Sequence, residues 1–225
     1  MKKRGIRVGL LLVAGLAGLL GGCMSESRKI ISYMEERYGK TFTYEGETNG
    51  MLGSRAFTAK LSCPDYPGMT ILASLVQRDG EESYSDNYMA VSYHEAAEQR
   101  ISEAAGQVLE HYQLFLDKPD LTMKIDNPEA YSLADYLADP NAFKSVWIMT
   151  YDEVNEEVFQ ALVQVLCEEN ITVNGVLAVP SDSSDTVEMT KEEFENFLAN
   201  QGRVKTQVNF KVQDGELVRE DWRRE

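Results

Sequence analysis

The sequence predicts an α+β fold with mixed helices and mostly antiparallel strands. Segments with the two-residue alternation of strands are interleaved with segments of helical period, and their order shows no regular strand–helix–strand repeat. A hydrophobic content of 43% and eleven tyrosines in 225 residues are sufficient for a folded core. We therefore expect one large domain or two small, packed α+β halves.

The first half is predicted to span residues 29–117 and to contain a helix, three strands and a second helix. The first helix ends at Tyr38-Gly39, because glycine commonly closes a helix. Strands are expected at residues 41–44, 55–63 and 69–76, and one long helix at 88–116. The buried face of the second strand should hold Phe57, Ala59, Leu61 and Cys63.

The second half is predicted to span residues 118–225. Strands are expected at 121–125 and 145–150, a short helix at 131–137, and a broadly apolar helix between Val154 and Leu166 that needs a sheet and a second neighbour to cover it. Residues 171–179 form either one strand or a hairpin at Asn174-Gly175. Two last features are a capping box at Thr190 and Glu193, which opens a helix at 191–199, and C-terminal strands joined at Asp214-Gly215.

The N-terminus has the pattern of a secretory signal peptide. Residues 1–7 hold four basic side chains and no acid, and Val8–Leu20 is uncharged. A transmembrane anchor is the alternative, although the glycines of this stretch lower its hydrophobicity.

The end of this apolar stretch, Leu20-Gly21-Gly22-Cys23, resembles the lipobox of bacterial lipoproteins. The resemblance covers only about the first 25 residues. It implies that residues 1–22 are a signal peptide, that Cys23 is the lipidation site and new N-terminus, and that residues 23–28 are a short tether. The mature protein would be lipid-anchored to the cell membrane, on its extracytoplasmic face.

The charge of the chain excludes one class of partner. The precursor has a net charge of −15, and removal of the four basic residues of the signal peptide lowers it to −19. A surface of this sign repels phosphate groups, so we expect no nucleic-acid partner.

The sharpest catalytic candidate is His94-Glu95-Ala96-Ala97-Glu98, one residue away from the zinc motif H-E-x-x-H. His94 and Glu98 could supply two metal ligands, but a third is needed. The only other histidine, His111, would lie about 25 Å from His94 on one continuous helix. We therefore expect His94 and Glu98 to be exposed and free of metal. The sequence has no G-x-S-x-G, C-x-x-C or phosphate-binding glycine loop, so it indicates no catalytic residue and no cofactor.

Two classes of function remain. The first is a non-enzymatic binding role towards a ligand or a protein of the envelope or surface, for which the tyrosines of residues 84–93 could form a face. The second is a membrane-anchored hydrolase that uses a metal at His94 and Glu98. Cys63 and Cys167 could form a disulfide on an oxidising face of the membrane, but their predicted positions favour two free thiols.

Overall fold

The computed structural model describes residues 21–48, 56–181, 189–199 and 203–224, with side chains from Glu26 onward. The described helices are α1 (Gly21–Tyr38), α2 (Tyr88–Ala105), α3 (Leu133–Ala138), α4 (Glu156–Glu168) and α5 (Lys191–Ala199). The first sheet contains β1 (Thr43–Glu47), β2 (Ala56–Ser62), β3 (Ile71–Arg78) and β4 (Glu81–Asp86). The second contains β5 (Tyr112–Leu116), β6 (Ser145–Thr150), β7 (Val173–Pro180), β8 (Val204–Gln213) and β9 (Glu216–Arg224). The predicted α+β class is confirmed.

The first sheet is an antiparallel meander whose strands follow one another in chain order. Helix α1 covers one face with Ile30 and Met34, both fully buried. Of the residues predicted to face this core, Ala59, Leu61 and Cys63 are buried and Phe57 is half-buried. The expected tether at 23–28 is instead helical and continuous with the rest of α1. No helix among the described residues is long and apolar enough to cross a membrane.

Strand β4 was not predicted, although its turn carries a recognisable sequence. Asp79 and Gly80 join β3 to β4 with φ values of 54° and 88°. Asp214 and Gly215 join β8 to β9 in the same way, with 53° and 73°. Positive φ at both central residues is the mark of the two-residue turn that matches strand twist.

The second sheet has one parallel pair, β6 with β7, and antiparallel pairs elsewhere. Parallel neighbours require a crossover, which α4 supplies. Residues 173–180 form one strand between β6 and β8, so the alternative of a hairpin at Asn174-Gly175 is wrong. The broad apolar face of α4 packs as expected against the sheet and a second helix, α2; it buries Phe159, Leu162, Val163 and Leu166.

Helix α5 packs on the other face of this sheet. Its predicted capping box is present: the Thr190 N–H donates to Glu193 Oε2 at 2.7 Å, and the Glu193 N–H donates to Thr190 Oγ1 at 3.3 Å. The helix then buries Phe194 and Phe197 in a small cluster with Met149.

The helix predicted at 88–116 ends at Ala105, and residues 112–116 are the edge strand β5. Most buried side chains of α2, including Ala97 and Ile101, belong to the core of the second sheet. The division into halves at residue 117 is therefore misplaced, because β5 and most of α2 pack with the second half. Residues 121–125 form no strand; Met123 makes a single β-bridge with Asp86.

The two sheets are joined at Asp86 and Asn87, which are both buried. The backbones of Asp86 and Met123 exchange two hydrogen bonds, of 2.9 and 3.0 Å. The Asp86 carboxylate accepts from the Tyr38 hydroxyl at 2.8 Å and the Tyr88 N–H at 3.0 Å. Burial nevertheless raises the pKa of Asp86 above its ordinary value, and these donors only offset part of the effect.

A buried lysine closes the short helix α3. In this helix, the carbonyl of Tyr136 cannot accept the usual hydrogen bond from the N–H four positions later, because that residue is Pro140, which has no N–H. The ammonium of Lys144 instead donates to the Tyr136 carbonyl at 2.7 Å, and also to the carbonyls of Asp139 and Ala142. Burial lowers the pKa of Lys144 to about 8, and the nearby charge of Asp139 opposes that shift.

Candidate functional site

A polar cleft of about 670 Å³ lies between α2, β5 and the turn that joins β2 to β3. The residues that α2 contributes form two adjacent rows with a spacing of four residues, so they stand on one face of the helix: His94, Glu98 and Ser102 in one row, and Glu95, Gln99 and Glu103 in the other. The lining includes His94, Glu98, Ser102, Tyr112, Leu114 and Lys118. Both sequence-derived candidates, His94 and Glu98, are therefore in the same cleft.

Glu98 is half-buried and not exposed as predicted. Its Oε2 accepts a hydrogen bond from the backbone N–H of Leu116 at 3.2 Å. Leu116 is in β5, which pairs with β6 and lies at the edge of the sheet as far as the chain is described. The carboxylate therefore ties α2 to the edge of the second sheet.

His94 is also half-buried, which corrects the expectation that it is exposed. Its ring Nδ1 is inaccessible to solvent and has no hydrogen-bond partner among the described residues. An N–H at that position would lack an acceptor, so the neutral ring is favoured with its proton on Nε2. Burial lowers the pKa of His94 below 6.5, while the negative charge of Glu98 raises it in part. At neutral pH the cleft therefore holds an uncharged imidazole.

We expect an NMR titration of His94 to give a midpoint below 6.5, and the variant Glu98→Gln to lower it further. The variant removes the charge that favours the protonated ring. In the natural protein, the pKa of His94 is lower in the folded than in the unfolded state, so the unfolded chain binds the proton more tightly. The free energy of unfolding should therefore fall as pH drops through the window below 6.5.

Glu103→Gln is the matched control, since Glu103 is also a glutamate of α2 that lines the same cleft. It should move the midpoint of His94 less than Glu98→Gln does. A rise of the midpoint in Glu98→Gln would contradict the assigned electrostatics.

The far wall of the cleft is formed by β5 and by the first sheet. The hydroxyl of Tyr112 donates to the Ser102 carbonyl at 2.6 Å and lies 3.1 Å from the Ser102 hydroxyl. Lys118 donates to the Gly68 carbonyl, in the β2–β3 turn, at 3.2 Å. The cleft is thus built by parts of the chain that belong to both sheets.

The second histidine lies elsewhere. His111 is in the loop before β5, so the argument from a continuous helix was wrong. Its ring Nδ1 is 3.2 Å from Asp152 Oδ1, and its backbone N–H donates to Asp152 Oδ2 at 3.2 Å. Within the described ranges, no group of three or more His, Cys, Asp or Glu side chains is placed to hold a metal ion.

The tyrosines of residues 84–93 pack against other aromatic residues. Tyr84 stacks on Tyr33 with ring centroids 4.4 Å apart, and Tyr88 is buried beside Tyr38 at 4.2 Å. The Tyr93 hydroxyl donates to the Tyr131 carbonyl at 2.6 Å. Tyr88 is buried, whereas Tyr84 and Tyr93 are half-buried, so only part of these last two rings is left exposed. A tyrosine binding face at this place stays a prediction.

The cysteines occupy separate surroundings. Cys63 is a buried free thiol in the core of the first sheet, and Cys167 is a half-buried free thiol beside the core of the second. Burial raises the pKa of Cys167, which makes its thiolate scarce. The backbone of Cys23 lies in the first turn of α1, whereas its side chain and residues 1–20 lie outside the described part of the chain.

No family model matches the chain, and no curated protein matches it. Among solved structures, a DUF5037 family protein from Ruminococcus gnavus is similar over 86% of this chain and 94% of its own, with 16% identity and a TM-score of 0.42.

Proposed function

We propose that this protein is a lipid-anchored, extracytoplasmic binding protein of the cell membrane. The observation that carries the proposal is the sequence Leu20-Gly21-Gly22-Cys23 at the end of an uncharged stretch that follows four basic residues. Cleavage before Cys23 and acylation of its thiol attach the protein to the membrane. One acyl chain binds weakly, and two or more hold a protein stably on a bilayer.

The charge of the mature chain supports the lipid as the means of attachment. At a net charge of −19, the protein is repelled by anionic headgroups. Its membrane association therefore depends on the acyl chains at Cys23.

The binding role is assigned to the cleft between α2 and β5. Ligands usually bind in clefts of this size in which a few polar groups point towards one another. The neutral ring of His94, the hydroxyl of Ser102 and the ammonium of Lys118 offer a ligand both donors and charge. The partner proposed for this cleft is a small ligand or an envelope component.

Replacing Cys23 by alanine is expected to abolish metabolic labelling with palmitate, because the acceptor thiol is lost. The precursor should also remain uncut, since the lipoprotein peptidase acts on the acylated cysteine. Cys167→Ala serves as the control and should be labelled like the natural protein. Normal labelling of Cys23→Ala would refute the proposed anchor.

A further inference from the structure

We infer that the bilayer lies against one particular end of the first sheet, the end formed by the start of α1 and the β3–β4 turn. The second sheet and the cleft are then held on the side away from the lipid. This orientation rests on the proposed anchor at Cys23, and it adds to that proposal which surface of the folded protein faces the membrane.

The proposed anchor, Cys23, is close to a rigid part of the fold. Helix α1 is continuous from Gly21, and its residues Ser27 and Ile30 are already buried against the first sheet. Cys23 precedes Ser27 by one turn, which is about 6 Å along the helix axis. The acylated residue therefore has little freedom to move away from the end of the sheet.

Contacts along α1 show in which direction the helix lies on the first sheet. Near its start, the Lys29 ammonium is 2.5 Å from Glu82 Oε1, next to the β3–β4 turn. Further along, Tyr33 stacks on Tyr84, and at its end Tyr38 donates to Asp86. Helix α1 and strand β4 therefore run side by side in the same direction, and the anchor lies at the end of the β3–β4 turn.

The second sheet is attached at the opposite end of the first sheet. Asp86 bonds to the backbone of Met123, and the Asn87 side chain donates to the Pro119 carbonyl at 2.8 Å. Arg37, in the last turn of α1, donates to the Ile125 carbonyl. Fourteen residues separate Cys23 from Arg37, so this junction is about 21 Å further along α1 than the anchor.

The exposed charges near the turn do not favour another arrangement. Arg78 Nε lies 3.8 Å from Asp79 Oδ2, and Arg78 is opposite Glu81 in the strand register, so this end of the sheet presents both signs. The orientation therefore follows from the position of the anchor and from the rigidity of α1. Attraction between protein charges and lipid headgroups is not required.

The orientation can be measured by fluorescence quenching on the lipidated protein in vesicles. An environment-sensitive dye is attached at Glu81→Cys, with Cys63 and Cys167 replaced by alanine so that the dye has one site. The acylated Cys23 carries a thioether and does not react. Lipids with a nitroxide in the headgroup region should quench this dye by about twofold, because the turn lies at the depth of the interface.

The matched control is Glu216→Cys, the corresponding position after the second Asp-Gly turn, which is also exposed. Asp65→Cys tests the opposite end of the first sheet. Both dyes should be quenched less than the dye at position 81. Equal or stronger quenching at position 216 or 65 would overturn the orientation and leave the anchor intact. If the labelled protein does not float with the vesicles, the proposed anchor fails, and the orientation fails with it.

Discussion

Replacing Gly175 by alanine is expected to destabilise the protein by about 3 kcal/mol, the upper part of the range for overpacking a core. Gly175 in β7 is directly opposite Phe210 in β8. A Cβ atom added at Gly175 would lie 2.1 Å from the Phe210 ring. The ring is buried and packs edge-on against Phe159 of α4 at 5.7 Å, so its displacement disturbs the main core.

Urea unfolding monitored by circular dichroism measures this effect. The control is Val176→Ala, at the next position on the opposite face of β7, where the side chain is half-buried. It should cost about 1 kcal/mol. Adding Phe210→Leu to Gly175→Ala should recover part of the loss, because the smaller side chain removes the overlap. A Gly175→Ala protein as stable as the natural one would show that the ring moves without cost.

Replacing Asn87 by alanine is expected to cost about 3 kcal/mol as well, because it leaves several buried polar groups without partners. The Asn87 side chain is fully buried at the junction of the two sheets. Its Oδ1 accepts from the Leu72 N–H at 2.7 Å, and its Nδ2 donates to the carbonyls of Pro119 and Thr70 at 2.8 and 3.4 Å. Alanine removes all of these contacts and leaves a cavity.

The same unfolding measurement separates hydrogen bonding from volume. Asn87→Asp keeps the size and the acceptor of asparagine but has no donor when it is ionised. At pH 7 it should therefore be at least as destabilising as Asn87→Ala. Burial would raise the pKa of that carboxyl above the unfolded value, so the variant should regain stability as pH falls and the group takes up a donor proton. Asn127→Ala, at an exposed position, should change stability by less than about 0.5 kcal/mol. Wild-type stability of Asn87→Asp at pH 7 would contradict the role of the two donors.

The sequence correctly predicted those elements whose conformation depends mainly on their own residues. Strand β2 alternates apolar and polar residues, and α5 opens with Thr190 and Glu193, which satisfy each other's backbone N–H groups. Strand β4 was missed because its residues are mostly polar, as suits the edge of a sheet. The Asp79-Gly80 turn could have revealed it, since the same two residues at 214–215 were recognised.

The prediction of one long helix over residues 88–116 was wrong for a physical reason. Residues 112–116 are apolar except for Gln113 and would suit a helix, and Gly106 is the glycine that interrupts the pattern. Their strand conformation depends on pairing with β6, whose partner residues lie 30 (Leu116 with Val146) to 38 (Tyr112 with Thr150) positions later in the chain. For the same reason, the cleft could not be predicted. The spacing of His94 and Glu98 places them on one face of a helix, but Tyr112 and Lys118 face them only because the chain leaves the helix and returns as β5.

Helix α2 makes the unfolding of the two sheets a single event. Its first turn places Tyr88 and Val91 in the core of the first sheet, and its later turns place Ala97 and Ile101 in the core of the second. Helices in proteins owe most of their stability to tertiary packing, so the loss of either core removes packing that holds α2 in place against the other. The two sheets should therefore exchange their slowest backbone amides with solvent at a common free energy, as one cooperative unit.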